Sequence, residues 1–170
     1  MEKLSSGCGS DRRSNAARAP RPLTIACMLV GLASCAPKPP GALLPVDALD
    51  HAIGDVIGDP ATCVLLAEPA TNRVVYRYGQ SFNCLRGLPA CDRPGFLSAT
   101  QALALAKAPG GRAASCNTSA DGSRTVGWAE GHAPSGSRDL NYSAVMEGQT
   151  AMPGHEISAR LEQAFRNAGL

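Results

Sequence analysis

Residues 62–78 read TCVLLAEPATNRVVYRY, and this stretch decides the fold. Thr62 to Ala67 is a short, continuous apolar run, the pattern of a strand covered on both faces. Glu68-Pro69-Ala70-Thr71-Asn72 carries turn chemistry, and Arg73 to Tyr78 alternates Val74, Tyr76 and Tyr78 against Val75 and Arg77. Two apolar runs around a turn predict a β-hairpin whose second strand is half exposed.

Working outward, Val46 to Ile57 places apolar residues at 46, 49, 53, 56 and 57, a helical stripe that Gly58 and Pro60 end. Downstream, Ser98 with Gln101 forms a capping box that opens a helix through Ala102 to Ala106, stopped by Pro109-Gly110-Gly111. Thr125 to Glu130 reads as a strand, Gly131 to Asp139 as a polar turn, and Leu140 to Glu147 as an alternating strand. One further strand is expected near Ser115–Ser119. After Pro153, Ile157, Leu161, Ala164, Phe165 and Ala168 share one face of a final helix. The expected fold is α+β: a small antiparallel sheet of four to five strands in α-β-β-α-β-β-α order, with the N- and C-terminal helices packed on it.

The chain of 170 residues has a second informative stretch, Leu23 to Cys35, LTIACMLVGLASC. Arg12, Arg13, Arg18 and Arg21 precede it and small residues close it, the layout of a secretory signal peptide. The run is too short to cross a bilayer. Arg12-Arg13 invites a twin-arginine reading, but Ser-Asn-Ala-Ala follows, which favours the general secretory route.

Leu32-Ala33-Ser34-Cys35 resembles a bacterial lipobox. The resemblance implies diacylglycerol on the Cys35 thiol, cleavage after Ser34 and acylation (palmitate) of the new amino terminus. The alternative is an ordinary signal peptide that contains a cysteine. On the first reading, residues 1–34 are the leader, 35–45 the lipidated cysteine with a Pro-rich tether, and 46–170 one domain. Ala36 stands where aspartate would retain the lipid in an inner membrane. The expected location is therefore the periplasmic face of the outer membrane.

With Lys3 and four arginines leaving in the leader, the formal charge of +2 turns slightly acidic. That balance gives no footprint for nucleic acid. The membrane link is the lipid, and no cofactor motif is present.

Cys63, Cys84, Cys91 and Cys116 remain, an even number in an exported chain, and predict two disulfides. Loop closure favours Cys84 with Cys91, which leaves Cys63 with Cys116. A zinc site competes, but there is no C-x-x-C pair and His51, His132 and His155 are scattered.

The hairpin, the Val126-Gly127-Trp128-Ala129-Glu130 strand, and Tyr142 to Glu147 with Met152-Pro153-Gly154 and its helix resemble the serine penicillin-recognising enzymes. The likeness is greatest to class D β-lactamases and transpeptidase domains. Their chemistry needs a serine three residues before a lysine, a second serine and a K-T-G strand. Here Cys91-Asp92-Arg93-Pro94-Gly95 stands at the first position and Cys116-Asn117-Thr118-Ser119 at the last. Ser98 has Gln101, not a lysine base, three residues on. The resemblance thus implies a family member without its catalytic half.

The function expected is a non-catalytic envelope lipoprotein that binds an envelope protein or peptidoglycan. The alternatives are a reduced penicillin-recognising hydrolase acting through Ser98, and a structural anchor of an envelope complex.

Overall fold

A computed structural model describes residues 44–106, 110–133 and 139–170. The leader, Cys35 and most of the tether lie outside the described residues. Helix α1 (Val46–Ile57) leads into the hairpin β1 (Thr62–Ala67) and β2 (Val74–Tyr78). Then come α2 (Ser81–Leu85), β3 (Leu88–Pro89), β4 (Phe96–Leu97) and α3 (Ala99–Leu105). Strands β5 (Arg112–Asn117), β6 (Thr125–Ala133) and β7 (Leu140–Gly148) precede α4 (Gly154–Asn167).

The main sheet has five strands in the order β2-β1-β7-β6-β5, every neighbouring pair antiparallel. Strands β3 and β4 form a separate two-stranded ribbon. The α+β class and the five-stranded antiparallel sheet are as the sequence predicts. The additions are α2, the ribbon and an early start to β5. Strand β6 also runs three residues beyond the expected end at Glu130.

Two cores form, one on each face of the sheet. On the first, Leu49, Ile53 and Ile57 of α1 and Ile157, Leu161 and Phe165 of α4 meet Val64, Leu66, Tyr142, Ala144 and Met146. The stripes read from the sequence are these faces. On the second, Ala99, Ala102 and Leu103 of α3 meet Cys63, Leu65, Val126, Trp128 and Val145. Because both faces are covered, β1 is buried throughout and β7 along all but its last residue.

Helix α4 approaches the sheet closely at Gly127. A side chain on Gly127 would collide with the Met152 carbonyl, and one on Gly154 with the Trp128 carbonyl. The two glycines let the helix start lie directly against β6. The Ser98–Gln101 capping box is present in both directions, at 2.9 and 3.2 Å.

The disulfide pairing differs from the local one expected. Cys63 joins Cys84 and Cys91 joins Cys116, with Cα atoms 5.3 and 5.4 Å apart. Sheet order excludes Cys63 with Cys116. These strands are separated by β7 and β6, roughly 14 Å at normal strand spacing, while a bridge needs Cα atoms within about 7 Å. Nor does loop entropy rescue Cys84 with Cys91, because each doubling of loop length costs only about 0.6 kcal/mol. Packing decides instead: α2 sets Cys84 on β1, and Cys91, with φ of 66°, turns towards β5.

Candidate functional site: an anchored apolar knob

Residues 82–97 hold the most unusual surface among the described residues. In α2, Asn83 and Cys84 point inward, the amide of Asn83 donating to the Pro60 carbonyl at 2.7 Å. Phe82 and Leu85 face outward, 67% and 68% exposed, and Phe96 on the ribbon is 71% exposed. Phe82 and Leu85 lie one turn apart on α2, and Phe96 sits beside Gly87, just past its end. The Arg86 guanidinium lies 5.9 Å from the centre of the Phe82 ring, and a Cβ on Gly87 would sit 3.8 Å from that of Phe96.

The underside of this segment is tied to the sheet at several points between Cys84 and Arg93. Both disulfides start from it, at Cys84 and Cys91. Between them, the Trp128 indole N–H donates to the Pro89 carbonyl at 2.8 Å. Trp128 is thus a core residue with its one polar atom satisfied, not a ligand platform.

Two buried glutamates complete the anchoring. Glu147 on β7 accepts from Arg124 Nε at 2.9 Å and Nη2 at 2.7 Å, from Thr118 at 2.9 Å, and from Arg86 at 3.0 Å. The Arg124 hydrogen bonds hold its carboxyl below the usual range, against the opposing effect of burial. Glu130 on β6 has looser partners, Arg112 at 3.2 Å and Arg93 at 3.9 Å. Asp92 binds Arg112 and Arg93 from the other side. Burial pushes Glu130 up, and the charge of Arg93 only partly offsets it.

Such buried pairs add little net stability over an apolar core, but removing one partner is costly. They fix where a segment sits. Arg86 and Arg93 each reach down from the knob to one of these glutamates.

A cavity of about 320 Å³ lies at the other face, between β5, β6 and the middle of α4. Gly111, Gly131, Tyr142, Ser158 and Glu162 line it. Gly131 leaves room for the Tyr142 ring, which a Cβ there would meet at 3.0 Å. The Tyr142 and Ser158 hydroxyls bond each other at 2.9 Å. Burial raises the Tyr142 phenol above its ordinary value.

The residues singled out from sequence are dispersed. Ser98 is buried, its oxygen accepting the Gln101 N–H as a helix cap. His51 pairs with Asp55 on α1, His132 with Asp139, and His155 stands in the first turn of α4. Among the described residues, no group of three or more His, Cys, Asp or Glu is placed to hold a metal ion. No helix among them is long and apolar enough to cross a membrane.

Sequence reading did not single out Phe82, Leu85 and Phe96, nor Glu130 and Glu147. The available signal was large apolar residues without periodicity in and around the Gly/Pro-rich stretch between Cys84 and Cys91. Compared with models of known protein families, with curated proteins and with solved structures, the chain matches none. Fold and site together define a two-disulfide α/β/α domain that presents an exposed apolar knob.

Proposed function

We propose that the chain is a non-catalytic lipoprotein of the bacterial cell envelope, tethered by lipid on Cys35 to the periplasmic face of the outer membrane. It acts there as an accessory or binding module, with an envelope protein or peptidoglycan as its partner. The observation that carries the binding reading is the knob. Two disulfides and two buried ion-pair clusters hold residues 83–93 down, while three large apolar side chains are kept in water. Exposed apolar clusters of this kind mark contact surfaces, and rigid mounting lowers the entropy lost on contact.

The two disulfides fit an oxidising compartment, which agrees with the signal-peptide layout of residues 12–35. The non-catalytic reading is supported by the hydroxyls described: Ser98 is committed to its helix cap, and Ser158 faces another hydroxyl.

The test is to express the full chain in a Gram-negative host, fractionate its membranes and weigh the protein. The expected mass is that of a chain starting at an acylated Cys35, recovered with outer membranes, while Cys35→Ala accumulates at precursor mass. Incubation with a fluorescent penicillin leaves no adduct. A stoichiometric adduct that disappears in Ser98→Ala overturns the non-catalytic reading in favour of a reduced penicillin-recognising hydrolase.

A further inference from the structure

We infer that the Cys91–Cys116 bond is a redox latch on the knob: a dithiol of the cell envelope opens it while Cys63–Cys84 stays closed, and opening frees Phe96 from the fixed pair of Phe82 and Leu85. The latch deepens the binding reading above and rests on it for what the knob lets go. The reactivity of the bond belongs to the domain itself.

The two bridges differ in access. Cys63 lies in β1, between β2 and β7, and it and Cys84 are buried, at 0% and 3% exposure. Cys91 and Cys116 are half-buried. Cys116 stands near the end of β5, the outermost strand, and Cys91 between β3 and β4. Exchange begins when a thiolate reaches a disulfide sulfur, so its rate follows access. The second bridge is the one that offers it.

They differ also in the backbone they hold. The Asp92 N–H donates to the Ala90 carbonyl at 2.8 Å, which makes Cys91 the centre of a γ-turn. Its φ of 66° is that of the rare, strained form of the turn. Among the described residues the other non-glycine residue with positive φ is Asn72, in the hairpin turn, where asparagine is well suited. Strain of this kind persists where surrounding contacts over-determine it. The bridge to β5 is one such contact, and opening it lets the turn relax. Cys63 and Cys84 sit instead in a regular strand and helix.

The step balances on the dithiol. One of its thiolates attacks Cys116 Sγ, and Cys91 leaves and takes up a proton. The second thiol then displaces Cys116, so that the protein gains two thiols as the dithiol becomes a disulfide. Cys91 Sγ already lies 3.6 Å from the Pro89 carbonyl, to which its new S–H can donate. With Cys63 still joined to Cys84, the two free thiols have only each other as intramolecular partners, and reoxidation restores the same bond.

Phe82 and Leu85 keep their mounting, because Cys84 and the Arg86–Glu147 pair lie on the α2 side of the opened bond. Phe96 sits on a two-residue strand that pairs with β3, and Cys91 is its nearest covalent tie to the sheet. Opening the latch therefore splits the apolar cluster and weakens contact with a partner that needs all three side chains.

The test treats the full chain, purified from host membranes, with dithiothreitol. Timed samples are blocked with N-ethylmaleimide, and the modified cysteines are mapped by peptide mass. Expected is modification of Cys91 and Cys116 at least about tenfold faster than of Cys63 and Cys84. Hydrogen exchange on the half-reduced protein should show lost amide protection within residues 90–97, with α2 and β1 unchanged, and removing the dithiol should restore it. Equal rates, or Cys63–Cys84 opening first, overturn the inference. So does selective opening with unchanged protection in 90–97, because the bond then latches nothing. The intact mass of the same sample separates this from the reading above. Selective opening and release on an unacylated chain sinks the lipid anchor and leaves the latch standing, whereas an acylated chain whose bonds open together does the reverse.

Discussion

The two faces of the sheet are built by different physics. Under α1 and α4 the core is apolar and continuous, from Leu49 and Ile53 across Val64 and Met146 to Leu161 and Phe165. Under α2, α3 and the knob, a smaller apolar core around Leu65, Leu103, Val126 and Trp128 is supplemented by two disulfides and the clusters around Glu130 and Glu147. The first face holds the fold together by burial. The second uses crosslinks and charges to fix one segment in one place.

The strongest test of that contrast is a cavity in the first face. Phe165 is fully buried and meets Tyr142 edge-on, with ring centres 5.4 Å apart. Phe165→Ala should destabilise the domain by about 4 kcal/mol in urea unfolding. The loss should be global, lowering amide protection in β1, β6 and β7 together. Loss confined to α4 would mean that this face is not one cooperative core.

Removing the second bridge should affect the molecule differently. The loop closed by Cys91 and Cys116 spans a sequence separation of 25, which corresponds to roughly 3–4 kcal/mol in the chain-entropy model. In a double Cys91→Ser, Cys116→Ser variant the lost amide protection should concentrate in residues 86–97, with the α1/α4 layer unchanged under native conditions. Uniform loss would show that this crosslink supports the whole fold and not the knob.

The same contrast explains what the sequence discloses. Helices α1 and α4 and strands β1 and β7 are legible because burial on a periodic element leaves a periodic apolar pattern, and Ser98-x-x-Gln101 marks the α3 start chemically. The class of the fold follows from those elements. The knob leaves no period. Its five-residue helix and two-residue strands are held by contacts distant in sequence, such as Arg86 with Glu147 and Trp128 with Pro89.

The cysteine pairing was hidden for a related reason. Loop entropy ranks pairs by separation along the chain, while the sheet order, which places β7 and β6 between β1 and β5, decides which cysteines can touch. Glu130 and Glu147 lie in apolar strands as if at exposed positions. Only the second layer of helices shows them to be buried.

The finest difference lies within the second face, between its two glutamates. Arg124 grips Glu147 through both oxygens, and the carboxyl is held below its ordinary 4.5. The folded state therefore prefers the ionised form. That contribution is complete above pH 4.5 and is lost as pH falls through the lower folded value. Glu130 has the opposite sign. Its partners are more distant, burial dominates, and its folded value is raised above 4.5. That contribution is complete below pH 4.5 and is lost as pH rises through the higher folded value. Unfolding curves from pH 3 to 7 should separate the two. Glu147→Gln should flatten the acid limb, and Glu130→Gln the limb above it. Parallel slopes in both variants would show that the two clusters titrate as one network, with Arg86 and Arg93 coupled through the knob that carries them.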